Sequence, residues 1–278
     1  MGSQTEGKLN QLQRTLPEGM VVDAAWLEEQ GVSRQLRRKY VRHGWLLLLA
    51  RGVYRRPSAS ELPGPLPWQE LVVSLNRFLH APTSVGGRTA LELQGFSHYV
   101  TASGSREAHL YSNKNLPKWV SHVPVDTRLL FHSATRLFRH GALPAGDKEP
   151  LSASTEATVT QKPWGQQNWT LTVSTPERAI LELLDEVPKR ETFHQVDVLM
   201  EGLRNLSPKR LQSLLADCKN VKVKRLFFWF ADRHNHSWLQ KIDRSVVDLG
   251  KGKRMLVRGG KLDPKYNITV PEDLDGGV

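Results

Sequence analysis

Four of the eleven residues from Pro57 to Pro67 are proline. Such a stretch cannot continue a helix or sit in a central strand, because proline has no amide hydrogen and its ring clashes with the preceding turn. It divides the chain into a short first part and a long second part. We expect an N-terminal domain over 1–60, a linker over 57–66 and a larger domain over 67–278, which suits a chain of 278 residues. Apolar residues make up 39% and charged residues 24%, so both parts can build cores and disorder is not expected.

The first part reads as short helices followed by a hairpin. Leu9, Leu12 and Leu16 recur at helical spacing until Pro17-Glu18-Gly19 breaks the pattern. Asp23 is an N-cap for Ala24 to Gln30, and Gly31 stands where a helix ends in the left-handed region. Ser33 caps a second helix running to about His43, which Gly44 stops. Leu46 to Ala50 is strand-like, Arg51-Gly52 is a turn, and Val53 to Arg55 returns.

The net charge is +11. A balance this basic points to nucleic acid first and an anionic membrane second. Its placement separates the two. Ser33 to Pro57 holds eight basic residues and no Asp or Glu, which favours a polyanion opposite. On a helix Leu36, Tyr40 and His43 share one face, while Arg34, Arg38 and Arg42, with Gln35 beside them, lie on the other. The apolar face is too narrow for a membrane. Arginine pairs bidentately with guanine and glutamine with adenine in the major groove. The preceding helix has the length and spacing of the supporting helix of a helix-turn-helix, and the hairpin is its wing. The expected DNA contacts are Ser33, Arg34, Gln35, Arg37, Arg38, Arg42, Arg51, Arg55 and Arg56, with Arg55 and Arg56 running to phosphates. The fold class is α+β: a winged helix-turn-helix followed by a larger mixed domain.

That domain opens with helices at 68–79 and 88–94. Strands are expected at 109–112, 127–131 and 170–174, and a long loop or exposed hairpin at 141–168. Thr175-Pro176 and Ser207-Pro208 each start a helix with a cap and a proline at the first position. Phe193 to Leu203 and Val221 to Ala231 are further helices, and short strands follow from Ile242. From Lys219 to Lys265 thirteen basic residues face four aspartates. Lys222, Lys224, Arg225, Lys251, Lys253 and Arg254 are the candidate surface for a second anionic partner, against the alternative of a solvated face.

Enzyme readings fare poorly. Gly104-Ser105 is followed by Arg106-Glu107-Ala108-His109 without the paired carboxylates of a nucleotidyltransferase. Gly250 to Arg254, GKGKR, lacks the P-loop spacing. Asp243 and Asp248 with Lys251 and Lys253 make a poor nuclease set. His234 and His236 have no cysteine near enough to complete a structural zinc site. Phe227, Phe228, Trp229 and Phe230 read as core. Cys218 is the single cysteine, so no internal disulfide forms. We expect no catalysis, no cofactor, no metal, no membrane contact and a cytoplasmic location.

The helix-turn-helix ending in RGVYRRP, the internal GGRTALELQG, the segment STPERAILELLDEVP and the run from Cys218 to Val257 resemble the AbiEi-type antitoxins over nearly the whole chain. These are the transcriptional-regulator halves of bacterial type IV toxin–antitoxin systems, associated with phage defence. The resemblance implies that the first domain binds inverted repeats in double-stranded DNA of its own promoter and represses its operon. It implies that the second counteracts a nucleotidyltransferase toxin without a stable complex. We expect a monomer that meets a second copy on DNA. The alternative is a winged-helix transcription factor whose second domain senses a ligand or partner.

Overall fold

A computed structural model of the chain describes residues 2–58, 64–96, 107–140, 157–165 and 169–276. The two caps expected near the N-terminus are in place. Helix α1 (Gly2–Thr15) is followed by strand β1 (Val21–Asp23) and helix α2 (Ala24–Glu29), whose first turn is closed by the Asp23 carboxylate accepting from the Trp26 amide at 2.9 Å. Helix α3 (Arg34–Arg42) starts on Ser33, whose hydroxyl accepts from the Leu36 amide at 3.4 Å. Strands β2 (Leu47–Ala50) and β3 (Val53–Arg55) form a hairpin. β1 adds to β3 on its other side, giving an antiparallel sheet of order β1-β3-β2. The sequence reading had no β1; three residues are too few for an alternating pattern to show.

Packing runs on across the proline-rich stretch. Helix α4 (Trp68–Arg77) begins where the Asp126 carboxylate accepts from the Trp68 amide at 3.1 Å. Its Ser74 hydroxyl accepts from the Val21 amide of β1 at 2.9 Å, and Phe78 meets Trp26 of α2 edge-on. Leu71 and Leu75 share a core with Val21, Val53, Val120 and Val123. The first 58 residues therefore rest on α4 as their floor.

Beyond α4 come β4 (Thr83–Val85), α5 (Gly87–Leu93), β5 (Glu107–Ser112), β6 (Arg128–Ser133), α6 (Ala134–Leu137), β7 (Val159–Trp164) and β8 (Trp169–Ser174). The five strands form one mixed sheet of order β6-β5-β4-β8-β7. β5–β6 and β4–β8 are parallel; β4–β5 and β7–β8 are antiparallel. β7 lies inside the stretch expected as a loop or hairpin, whose residues 141–156 and 166–168 fall outside the described residues.

The remaining helices are α7 (Pro176–Glu186), α8 (Phe193–Gly202), α9 (Pro208–Asp217) and α10 (Val221–His234). Proline opens α7 and α9 as expected, and Thr192 with Gln195 closes a capping box on α8. α7 packs against α5, α8, α9 and α10, and is buried on nearly every side, as is α10. Phe193, Phe227, Phe228, Trp229, Phe230 and Trp238 fill the core between them. A hairpin of β9 (Lys261–Asp263) and β10 (Ile268–Val270) follows, and then a short 3-10 turn over Glu272–Gly276. The molecule is mixed α+β, and no helix among the described residues is long and apolar enough to cross a membrane.

Candidate nucleic-acid interface

α3 separates its two faces sharply. Tyr40 is fully buried, meets Trp45 edge-on at 5.4 Å, and Leu36 packs beside the same core. Arg34, Gln35, Arg38, Lys39 and Arg42 are exposed, and no acidic side chain among the described residues pairs with these cations. His43, expected on the apolar stripe, lies outside it: it is exposed and stacks on Trp45 at 5.0 Å. Arg51 is exposed at the hairpin tip, where Gly52 takes a left-handed φ of 77°. Lys8 of α1 donates to the Gly31 carbonyl at 3.2 Å and ties the turn between α2 and α3 to α1.

Three arginines expected to face DNA are used elsewhere. Arg37 is buried, and its guanidinium donates to the Ala24 and Val32 carbonyls at 3.3 and 3.1 Å and to Glu28 at 2.8 Å. It clamps α3 to α2. Arg55, 3% exposed, donates to the Gly19 carbonyl at 3.1 Å and to Glu70 of α4 at 2.6 Å. Arg56 is half-buried and donates to the Leu16 carbonyl at 2.7 Å, closing the end of α1. Ser33 spends its hydroxyl on the cap. Arg34, Gln35, Arg38 and Arg42 on α3, and Arg51 at the hairpin tip, remain exposed to solvent.

The second candidate surface also divides. Lys224 and Arg225 are buried, and Lys222 donates to the Asp185 and Val187 carbonyls at 2.6 and 2.7 Å, closing the C-terminal end of α7. Lys251, Lys253 and Arg254 are exposed. Asp243 and Asp248 each close a local turn, on the Ser245 and Gly250 amides at 2.9 and 2.7 Å. His234 bonds Asp197 at 2.8 Å and His236 the Met200 carbonyl at 2.7 Å. Burial pushes the Cys218 thiol up to about 11, which holds it as an unreactive thiol.

The sequence reading missed a polar cluster at the sheet. His109 Nδ1 and His132 Nε2 are 3.1 Å apart, and His132 Nδ1 is 3.3 Å from Glu186. Two neutral rings satisfy this chain when His109 donates to His132 and His132 to Glu186. Deeper in, Glu182 accepts from Arg178 at 2.7 Å and from the Gly87 amide at 3.0 Å. Single histidines on strands carry no motif to find them by. Burial above all, then His132 and two arginines, lowers His109 from 6.5 to about 3, and burial lowers His132 as well. Below 6.5 the unfolded chain therefore binds protons that the folded chain refuses, so stability is full above that value and falls as pH drops toward 3. Each ring contributes up to about 1.4 kcal/mol per pH unit. Burial raises Glu92 and Glu186, which act oppositely nearer the carboxylate range. Urea midpoints should fall from about pH 7.5 to 5.5. The fall should shrink in His109→Gln, and a flat profile in the parent would refute the assignment.

Two family models match the chain. Residues 5–102 match the N-terminal domain of the AbiEi antitoxin transcriptional regulators, and residues 105–271 match the AbiEi antitoxin transcriptional regulators of type IV toxin–antitoxin systems. No curated protein matches. Among solved structures, the chain is similar to the RV2827C protein of Mycobacterium tuberculosis, with a TM-score of 0.55 and 16% identity over 94% of this chain and 88% of that one. At that identity the likeness is one of fold alone.

Proposed function

Because the chain belongs to the AbiEi family of antitoxin transcriptional regulators of type IV toxin–antitoxin systems, we propose that α1 to β3 are a winged helix-turn-helix that binds double-stranded DNA of its own promoter. The observation that carries this reading is the outer face of α3. Arg34, Gln35, Arg38 and Arg42 are exposed on a helix whose opposite side is buried, and the turn before it is braced from both sides by Lys8 and Arg37. A rigid helix with a bare cationic face fits a major groove. Arg51 at the hairpin tip reaches a phosphate beside it.

In this reading the protein acts in the cytoplasm as a monomer, two copies meet on inverted repeats, and the operon is repressed. The part beyond α4 counteracts a nucleotidyltransferase toxin without holding it in a stable complex. Footprinting on the upstream region gives the operator and the number of copies bound. Arg38→Ala should cost about 1–3 kcal/mol at that site and relax base preference where Arg38 reads. Binding equal to the parent would remove α3 as the reading helix. Growth rescue in cells expressing the neighbouring nucleotidyltransferase tests the antitoxin role; no rescue would refute it.

A further inference from the structure

His43 is the single histidine of the first 58 residues and caps the C-terminal end of α3. Gln35, Lys39 and His43 follow one another at i, i+4 and i+8, an exposed ridge beside that of Arg34, Arg38 and Arg42. The DNA contacts proposed above take Gln35 from this ridge; Lys39 and His43 have no role in them.

The His43 ring is exposed, yet it is held from two sides. Nδ1 lies 2.8 Å from the Lys39 carbonyl, which also accepts from the His43 amide at 3.1 Å. A carbonyl only accepts, so Nδ1 carries the hydrogen, and Nε2 across the ring is a bare lone pair in the neutral form. The ring stacks on Trp45, with 5.0 Å between centroids and 21° between planes, and Trp45 meets the buried Tyr40 edge-on. These contacts leave Nε2 as the free edge. The charged side chains nearest along the helix, Lys39 and Arg42, are both cations. Trp45 carries no charge, and Tyr40, raised by burial, stays neutral near pH 7. No carboxylate among the described residues pairs with the ring, and Ser33 to Pro57 contains none.

We propose that His43 in its protonated form donates from Nε2 to a backbone phosphate of the duplex that α3 reads, with Lys39 beside it, so that the protein takes up a proton as it binds. This rests on the DNA-binding reading above. A phosphate oxygen is only an acceptor, and so is the neutral Nε2; the bond forms only when the ring is charged. Histidine is the side chain whose charge changes between about pH 5 and 8. The contact is therefore graded across neutrality, whereas those of Arg34, Arg38 and Arg42 are constant. The carbonyl and the indole orient the ring before DNA arrives, so little freedom is lost on binding.

The test titrates the full-length parent, His43→Gln, His43→Arg, Lys39→Ala and Arg38→Ala against the promoter duplex over a salt series, at about pH 6 and about pH 8. The parent should bind about fivefold more tightly at the lower pH. Its salt slope should be steeper there by about 0.5–1, for the further counterion that a charged contact releases. His43→Gln cannot take up charge and His43→Arg never loses it, so each should bind alike at the two pH values. Lys39→Ala keeps the backbone carbonyl that holds the ring; it should bind more weakly throughout and keep the parent's ratio. Melting of every variant at both pH values shows that the molecules compared are folded, and all share the His109–His132 pair. Equal affinity of the parent at the two pH values overturns the proposal, as does a ratio that persists in His43→Gln. In either case weaker binding by Arg38→Ala leaves the DNA-binding reading standing. A parent that binds no duplex overturns both.

Discussion

Glu182→Ala should destabilise the protein by about 3–5 kcal/mol, the range for removing one partner of a buried ion pair. Glu182 is 0% and Arg178 1% exposed. With the carboxylate gone, Arg178 keeps, among the described residues, the Thr158 hydroxyl at 3.1 Å and the face of Phe138. The Gly87 amide loses its acceptor in the same step. Gly86 is glycine for a related reason: a Cβ there would run into the Glu182 carboxylate and the Tyr111 ring. The packing that joins α5, α7 and the sheet is thus set around one carboxylate. Urea denaturation at neutral pH reads the effect. Glu182→Gln keeps the shape and one acceptor and should fall between alanine and the parent. An alanine variant within about 1 kcal/mol of the parent would show that Arg178 finds water or another partner.

Arg55→Ala should act on stability and not on phosphate contact. The loss should be about 2–4 kcal/mol, because it removes the buried guanidinium that bonds the mostly buried Glu70 carboxylate and the Gly19 carbonyl. Below its melting point the variant should bind DNA with the parent's salt slope. Arg51→Ala should do the reverse, melting with the parent and lowering the slope by about 1. A lowered slope in Arg55→Ala with unchanged melting would restore the expectation that this side chain meets phosphate.

The outer face of α3, its Ser33 cap and the Asp23 cap are readable from spacing alone, since periodicity and capping are local. Arg37, Arg55 and Arg56 are not. An arginine run looks the same whether its guanidiniums face water or a carbonyl, and the groups that capture them are scattered: Glu28 nine residues back, Glu70 beyond the prolines. For Lys224 and Arg225 a signal was present. A helix carrying Leu226 to Phe230 without a polar break is apolar all round, and such helices are central, so cations within them must find partners inside. The mixed sheet order depends on pairings between distant segments and leaves no local mark.

The position of α4 bears on how such regulators can be taken apart. The proline-rich stretch looks like a place to cut, but β1 gives an amide and β3 a guanidinium to α4 on its far side. A fragment ending near residue 58 would expose Val21 and Val53 and leave Arg55 without its carboxylate. Exchanging heads between relatives should therefore fail at the prolines, and any seam must carry α4 along with the head while leaving β4 and α5 with the sheet they belong to.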